Sequence, residues 1–172
     1  MNAQREPSRI TWGWRCSNCG QLITSIEDGW VEWLAGENKR GVTRLKGLRL
    51  VHRLAASPER TEHGCQYDEL AEFRQDRSVV EGLPLERFVG PDGLMMLLSL
   101  IAEGELPISE LLELAKRVQI PGYELARDLF EQASAEDVIK PSMGEGYYLQ
   151  TEIRAVLRWA GEEAHSGLKP AI

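Results

Sequence analysis

Arg15-Cys16-Ser17-Asn18-Cys19-Gly20 is the stretch that decides the reading of the first half of this chain. Two thiols sit three residues apart, with Asn18 and Gly20 supplying the chemistry of a tight turn. The flanks Trp12-Gly13-Trp14 and Leu22-Ile23-Thr24 carry aromatic and β-branched residues that suit strands. A C-x-x-C on a turn between two strands is similar to a zinc knuckle, which presents two thiolates to one tetrahedral ion. A redox C-x-x-C would instead sit at a helix N-terminus beside a βαβ pattern, and no such pattern surrounds it.

A closed zinc site takes four ligands. Cys16, Cys19 and Cys65 offer three, and His52 is read as the fourth, with His63 as the alternative. His52 falls on the same strand face as Leu48 and Leu50, so its ring points inward. His63 stands two residues from Cys65, and an extended backbone would place both side chains on one side. With all four positions filled by protein, no position is left for a substrate, so the Zn2+ is expected to be structural. It would stabilise a β module with too little core of its own.

Outward from the knuckle, residues 10–54 read as short strands: Ile10–Arg15, Gln21–Ile26, Gly29–Leu34 and Val42–Leu54. In the last of these, alternation predicts Leu48, Leu50, His52 and Leu54 on one face and Arg49, Val51 and Arg53 on the other. Residues 55–66 read as a loop, Asp68–Arg74 as a short helix, and the Gly/Pro-punctuated stretch up to Pro91 as a connector. Four of the five tryptophans, Trp12, Trp14, Trp30 and Trp33, fall in this half and are expected to supply core area.

From Asp92 the apolar spacing turns helical. Asp92 is read as the N-cap of a first helix with Leu94, Leu97, Leu98 and Ile101 on its core face, Met95-Met96 included in that core. Ser109 would cap a second helix, and Pro121 would open a third carrying Leu125, Leu129 and Phe130. Val138-Ile139-Lys140 and Tyr147-Tyr148-Leu149 read as a hairpin, followed by a last helix from Thr151. Helix, helix, turn, helix and two-stranded wing over residues 92–150 resembles a winged helix, with Ala115 at the helix crossing and Ile120 in the turn. Gln119 stands where that pattern often has glycine. The expected fold class is α+β: a zinc-stabilised antiparallel β module in residues 1–83, then a winged-helix-like module in residues 84–172.

Charge constrains partners. The chain has 172 residues and a net charge of −7. Before Pro91 there are 13 basic and 13 acidic residues, and from Pro91 onward 7 against 14. The acidic half is a poor nucleic-acid surface, and the outer face of the third helix would carry Glu124, Arg127, Asp128, Glu131 and Gln132. It suits a protein partner or a homodimer. Lys39, Arg40, Arg44, Lys46 and Arg49 form a local basic stretch that nucleic acid could use. C-x-x-C followed by a strand ending Leu50-Val51-His52 also resembles part of the HNH endonuclease pattern, which implies His52 as general base. Arg53 stands where that pattern has a second His, and its second C-x-x-C is missing.

The functional expectation is a non-enzymatic zinc-binding adaptor or regulator acting through protein contacts. The alternatives are a nucleic-acid-binding transcriptional regulator and an HNH-like metal-dependent nuclease, degenerate or active. No apolar run reaches the ~18 residues of a membrane span, and no apolar leader stands at the start, so no membrane partner and a cytoplasmic location are expected.

Overall fold

The computed structural model describes residues 13–37 and 40–166, the last five as backbone only. The expectations for residues 1–9, for Ile10 to Trp12, for Lys39 and for the tail beyond 166 lie outside the described residues. The chain is α+β and divides into two compact units, Met1–Leu111 and Leu112–Ile172. The helix that opens the expected second module therefore falls in the first unit.

In the first unit, β1 (Trp14–Arg15) and β2 (Leu22–Ile23) form a minimal antiparallel hairpin around the C-x-x-C. A second antiparallel sheet has the order β4-β3-β5, built from β3 (Gly29–Glu37), β4 (Thr43–His52) and β5 (Val79–Pro84). Helix α1 (Glu69–Asp76) precedes β5 and is capped by Asp68, whose carboxylate accepts from the Ala71 N–H at 3.0 Å.

Strand β5 corrects the reading of its segment as a connector. Gly82 and Pro84 look like breakers, yet each has a place in the ladder. A Cβ on Gly82 would lie 2.5 Å from Trp30 Nε1 and 2.8 Å from the Val31 carbonyl, so only glycine lets β3 approach. Pro84 closes the strand opposite Trp30, where a missing N–H ends the pairing.

The clean alternation expected in β4 does not hold at its end. Leu50, Val51 and His52 are all buried, as are Val31, Glu32, Trp33 and Leu34 on β3. Both faces of the sheet are covered there, so a period-2 pattern has no exposed side to report. Leu54 lies beyond the strand in a 3-10 turn, 48% exposed.

Helix α2 (Gly90–Glu103) begins before Asp92: Val89 occupies the N-cap and Pro91 the first turn. Gly93 packs onto the Phe88 backbone, where a Cβ would meet carbonyl carbon at 2.1 Å. Only Gly93 and Leu97 of this helix are buried. Leu94, Met95 and Leu98 are exposed, which corrects the expectation of a core face that included Met95.

Helix α3 (Ile108–Gln119) leads into the second unit, which also holds α4 (Tyr123–Ala126), α5 (Phe130–Ala135) and α6 (Gln150–Ser166). The expected single third helix is thus two short ones, broken where the Leu129 N–H turns back to the Ala126 carbonyl at 2.9 Å. Tyr123, Ala126, Phe130, Ala133, Ile139, Ile153 and Val156 form the core. Glu124, expected on an outer face, is buried, and its carboxylate accepts from Arg117 Nε and Nη2 at 2.7 and 2.8 Å.

The expected wing is absent among the described residues: residues 138–149 contain no strand. Their polar groups are satisfied otherwise. Ser142 and Leu149 backbone N–H groups donate to the Glu152 carboxylate at 3.1 and 2.7 Å, and Lys116 Nζ donates to the Gly146 carbonyl at 2.9 Å. Pro141 withholds a donor, and Asp137 turns the chain with φ of 57°. Tyr148 instead stacks on Phe130, ring centroids 3.6 Å apart.

Candidate metal centre

The knuckle is a hairpin turn held by its backbone. The Cys16 N–H donates to the Gln21 carbonyl at 2.9 Å, and the Gly20 N–H to the Cys16 carbonyl at 3.0 Å. Gly20 takes the left-handed conformation, φ 73°, which a non-glycine residue there would strain. The Ser17 N–H donates to the Leu50 carbonyl at 2.8 Å, docking the knuckle on β4 two residues before His52. The loop carrying Cys65 folds back on Ser57, whose hydroxyl donates to Cys65 Sγ at 3.1 Å. Arg49 Nη2 donates to the Cys65 carbonyl at 3.3 Å.

These contacts bring Cys16, Cys19, His52 and Cys65 together. One donor atom from each lies within 4.8 Å of the others, so the four could hold a metal ion. His52 Nδ1 stands 3.5 Å from Cys19 Sγ and 3.8 Å from Cys65 Sγ. A tetrahedral ion with sulfur at ~2.3 Å and nitrogen at ~2.0–2.1 Å sets neighbouring N and S about 3.5–3.6 Å apart. The observed spacings match that size. His52 Nε2 lies 3.4 Å from the Leu22 carbonyl, an acceptor, and Nδ1 faces the thiols.

The thiols are not equivalent. Burial pushes Cys16 up, but backbone N–H groups of Cys19, Asn18 and His52 outweigh it and bring it down to about 7. Burial pushes Cys19 up to about 12, and the neighbouring Cys16 and Cys65 sulfurs add to that. A cation among them reverses the balance and favours thiolates.

His63, the other candidate for fourth ligand, stands apart from the cluster. Its Nδ1 faces the Gln66 carbonyl at 3.0 Å. Within the basic stretch, Arg40 and Arg44 are exposed. Lys46 is ion-paired with Asp76. Arg49 is committed inward: its Nε and Nη2 lie 2.8 and 2.7 Å from Oε1 of Glu32, a carboxylate with no solvent exposure. Sequence reasoning missed Glu32. Its signal is its position between Val31 and Trp33 in an otherwise apolar run, where a charge requires a buried partner.

Among the described residues, no helix is long and apolar enough to cross a membrane. No protein-family pattern, no curated protein and no solved structure matches this chain.

Proposed function

We propose that this chain is a non-enzymatic adaptor or regulator, built on a structural zinc site and acting through protein–protein contacts. Zinc suits three thiolates and one imidazole in tetrahedral array, and four protein donors leave no open position for catalysis. His52 stands among the three thiols as a fourth metal donor, which counts against its serving as the general base of the nuclease reading.

The observation that carries the adaptor reading is the apolar surface of α2. Leu94, Met95 and Leu98 are 43, 67 and 49% exposed on one helical face. Methionine and leucine side chains suit a surface that receives another protein. The nucleic-acid alternative loses Arg49 to the buried Glu32, and Lys46 is shared with Asp76 in an exposed ion pair, which weakens the phosphate attraction such binding rests on.

The test places a photo-crosslinking residue at Met95 in the chain expressed in its source cells. The adaptor reading expects one dominant crosslinked protein, lost when Leu98→Asp is added. Association with DNA or RNA that falls steeply with salt and vanishes in Arg40→Ala/Arg44→Ala would favour the nucleic-acid-binding regulator instead.

A further inference from the structure

The apolar face of α2 also constrains what covers it. The helix has 14 residues, and from Gly93 to Ala102 none is charged. Leu94, Leu98 and Ala102 form one ridge at i+4 spacing with Met95 beside it, and all four are exposed. At about 100° per residue they fall within about 100° of one another, turned away from the buried Gly93 and Leu97. A helix offers no free backbone edge to a partner strand, so recognition here runs through side chains. A ridge of this kind fits between the side-chain ridges of a second helix.

The charges beside the ridge have one sign. Asp92 and Glu103 stand eleven residues apart, about three turns, so they lie within about 20° of each other around the helix. Both are exposed and border the ridge on its Ser99 side, where the Ser99 hydroxyl donates to the Glu103 carboxylate at 3.1 Å. Glu105, just past the helix, is exposed as well. Among the described residues, no cation is ion-paired with Asp92, Glu103 or Glu105. Residues 88–115 hold five acidic residues and no lysine or arginine.

This pattern selects among occupants. A second copy seated on the ridge would set acid against acid in either direction: Asp92 against Asp92 when parallel, Asp92 against Glu103 when antiparallel. A partner helix with cations along the border of its apolar stripe meets the acidic edge instead. Resting on the adaptor reading, we infer that α2 receives an amphipathic helix of another protein, with Lys or Arg bordering its apolar stripe opposite Asp92 and Glu103. The apolar ridge supplies most of the affinity. The exposed acids contribute less to it and set the choice and direction of the partner helix.

The test uses the full chain and fluorescent helical peptides of about 18 residues. The first has a leucine stripe bordered by lysines. The second has glutamates in place of the lysines. The third keeps the lysines and has serines in place of the leucines. Anisotropy titrations at about 0.05 M salt should show saturable binding of the lysine peptide, about fivefold or more tighter than the glutamate peptide, and none of the serine-striped peptide. At about 0.5 M salt the preference should largely vanish while binding persists. Asp92→Asn/Glu103→Gln should erase the preference and keep the binding. Leu98→Asp should abolish binding, and Met95→Glu replaces it should that variant fold poorly. Equal affinity for the lysine and glutamate peptides overturns the inference and leaves the adaptor reading standing. Binding of the serine-striped peptide overturns it too, since charge attraction alone then suffices. So does a dimer in sedimentation that Leu98→Asp dissociates, which makes a second copy the occupant. Binding of neither striped peptide also overturns it, and the Met95 crosslink then decides the adaptor reading by itself.

Discussion

Replacing Arg49 by Met tests whether the middle of the basic stretch is a structural pillar. Arg49 neutralises Glu32 at 2.7–2.8 Å, lies 3.5 Å from the Tyr67 ring centroid and holds the Cys65 carbonyl. Met keeps the aliphatic stem and removes the charge. The carboxylate of Glu32 is then buried without compensation, a loss that costs about 3–5 kcal/mol in comparable pairs. We expect the lower end, about 3 kcal/mol, because the Arg49 side chain is 19% exposed. The deficit also depends on pH. Burial already raises Glu32 above its usual range, and Arg49 is the main opposing influence. Without it the carboxyl rises further. A carboxyl raised on folding binds more protons in the native state than in the unfolded chain, so stability falls as pH rises through that window. The deficit of Arg49→Met against the parent should therefore shrink as pH falls from about 7 to about 5. Urea unfolding at both pH values measures it. A loss below about 1 kcal/mol, or a deficit of equal size at both values, would refute the reasoning. Arg49→Met/Glu32→Leu, which removes both charges, should recover most of the loss.

Other outcomes follow from the same packing. Gly29→Ala places a Cβ 2.4 Å from Leu85 Cδ2 and 2.7 Å from Leu85 Cβ, and the second contact cannot be relieved by rotation. The clash should cost about 1–2 kcal/mol in thermal unfolding and, because Gly29 pairs with His52, also weaken metal binding; a variant as stable as the parent would count against it. Asp68→Ala should cost about 1 kcal/mol in urea unfolding through the lost α1 cap, and Asp68→Ser should restore most of it. Tyr148→Ala removes the ring stacked on Phe130 and should destabilise the second unit by about 2–3 kcal/mol, with no loss of bound metal. Cys19, pushed up to about 12, is protonated in the metal-free chain at pH 7, so loading displaces its proton. Metal affinity measured against a competing chelator should rise roughly tenfold per pH unit for each proton displaced, and a flat profile from about pH 6 to 8 would contradict it.

The metal cluster was legible because its chemistry is local. A C-x-x-C on a tight turn fixes two donors by spacing, and an inward position on β4 marks His52. The inward strand position favours His52, but setting His63 aside rests on how the loop at Ser57 closes around Cys65, which the sequence does not show. Strand β5 was hidden because Gly82 and Pro84 serve a close approach to Trp30 and a strand end, which sequence cannot tell from a turn. The burial of Glu32, and the pairing of Arg49 with it, was hidden in the same way: alternation assumes one wet face, and here both faces are covered. The hairpin after Val138 failed because its donors go to Glu152, a helix-start carboxylate three residues beyond Leu149. The expected core face of α2 failed because helical periodicity shows that residues share a face, without showing that anything covers it.

The most direct test of the account is the zinc K-edge X-ray absorption spectrum of the full chain, purified without added metal and normalised to protein. The account predicts about one zinc per chain in a four-coordinate shell of three sulfurs at ~2.3 Å and one nitrogen at ~2.0–2.1 Å, with the sulfur count falling in Cys19→Ser. An absent edge, or a shell of oxygen and nitrogen alone, would contradict it.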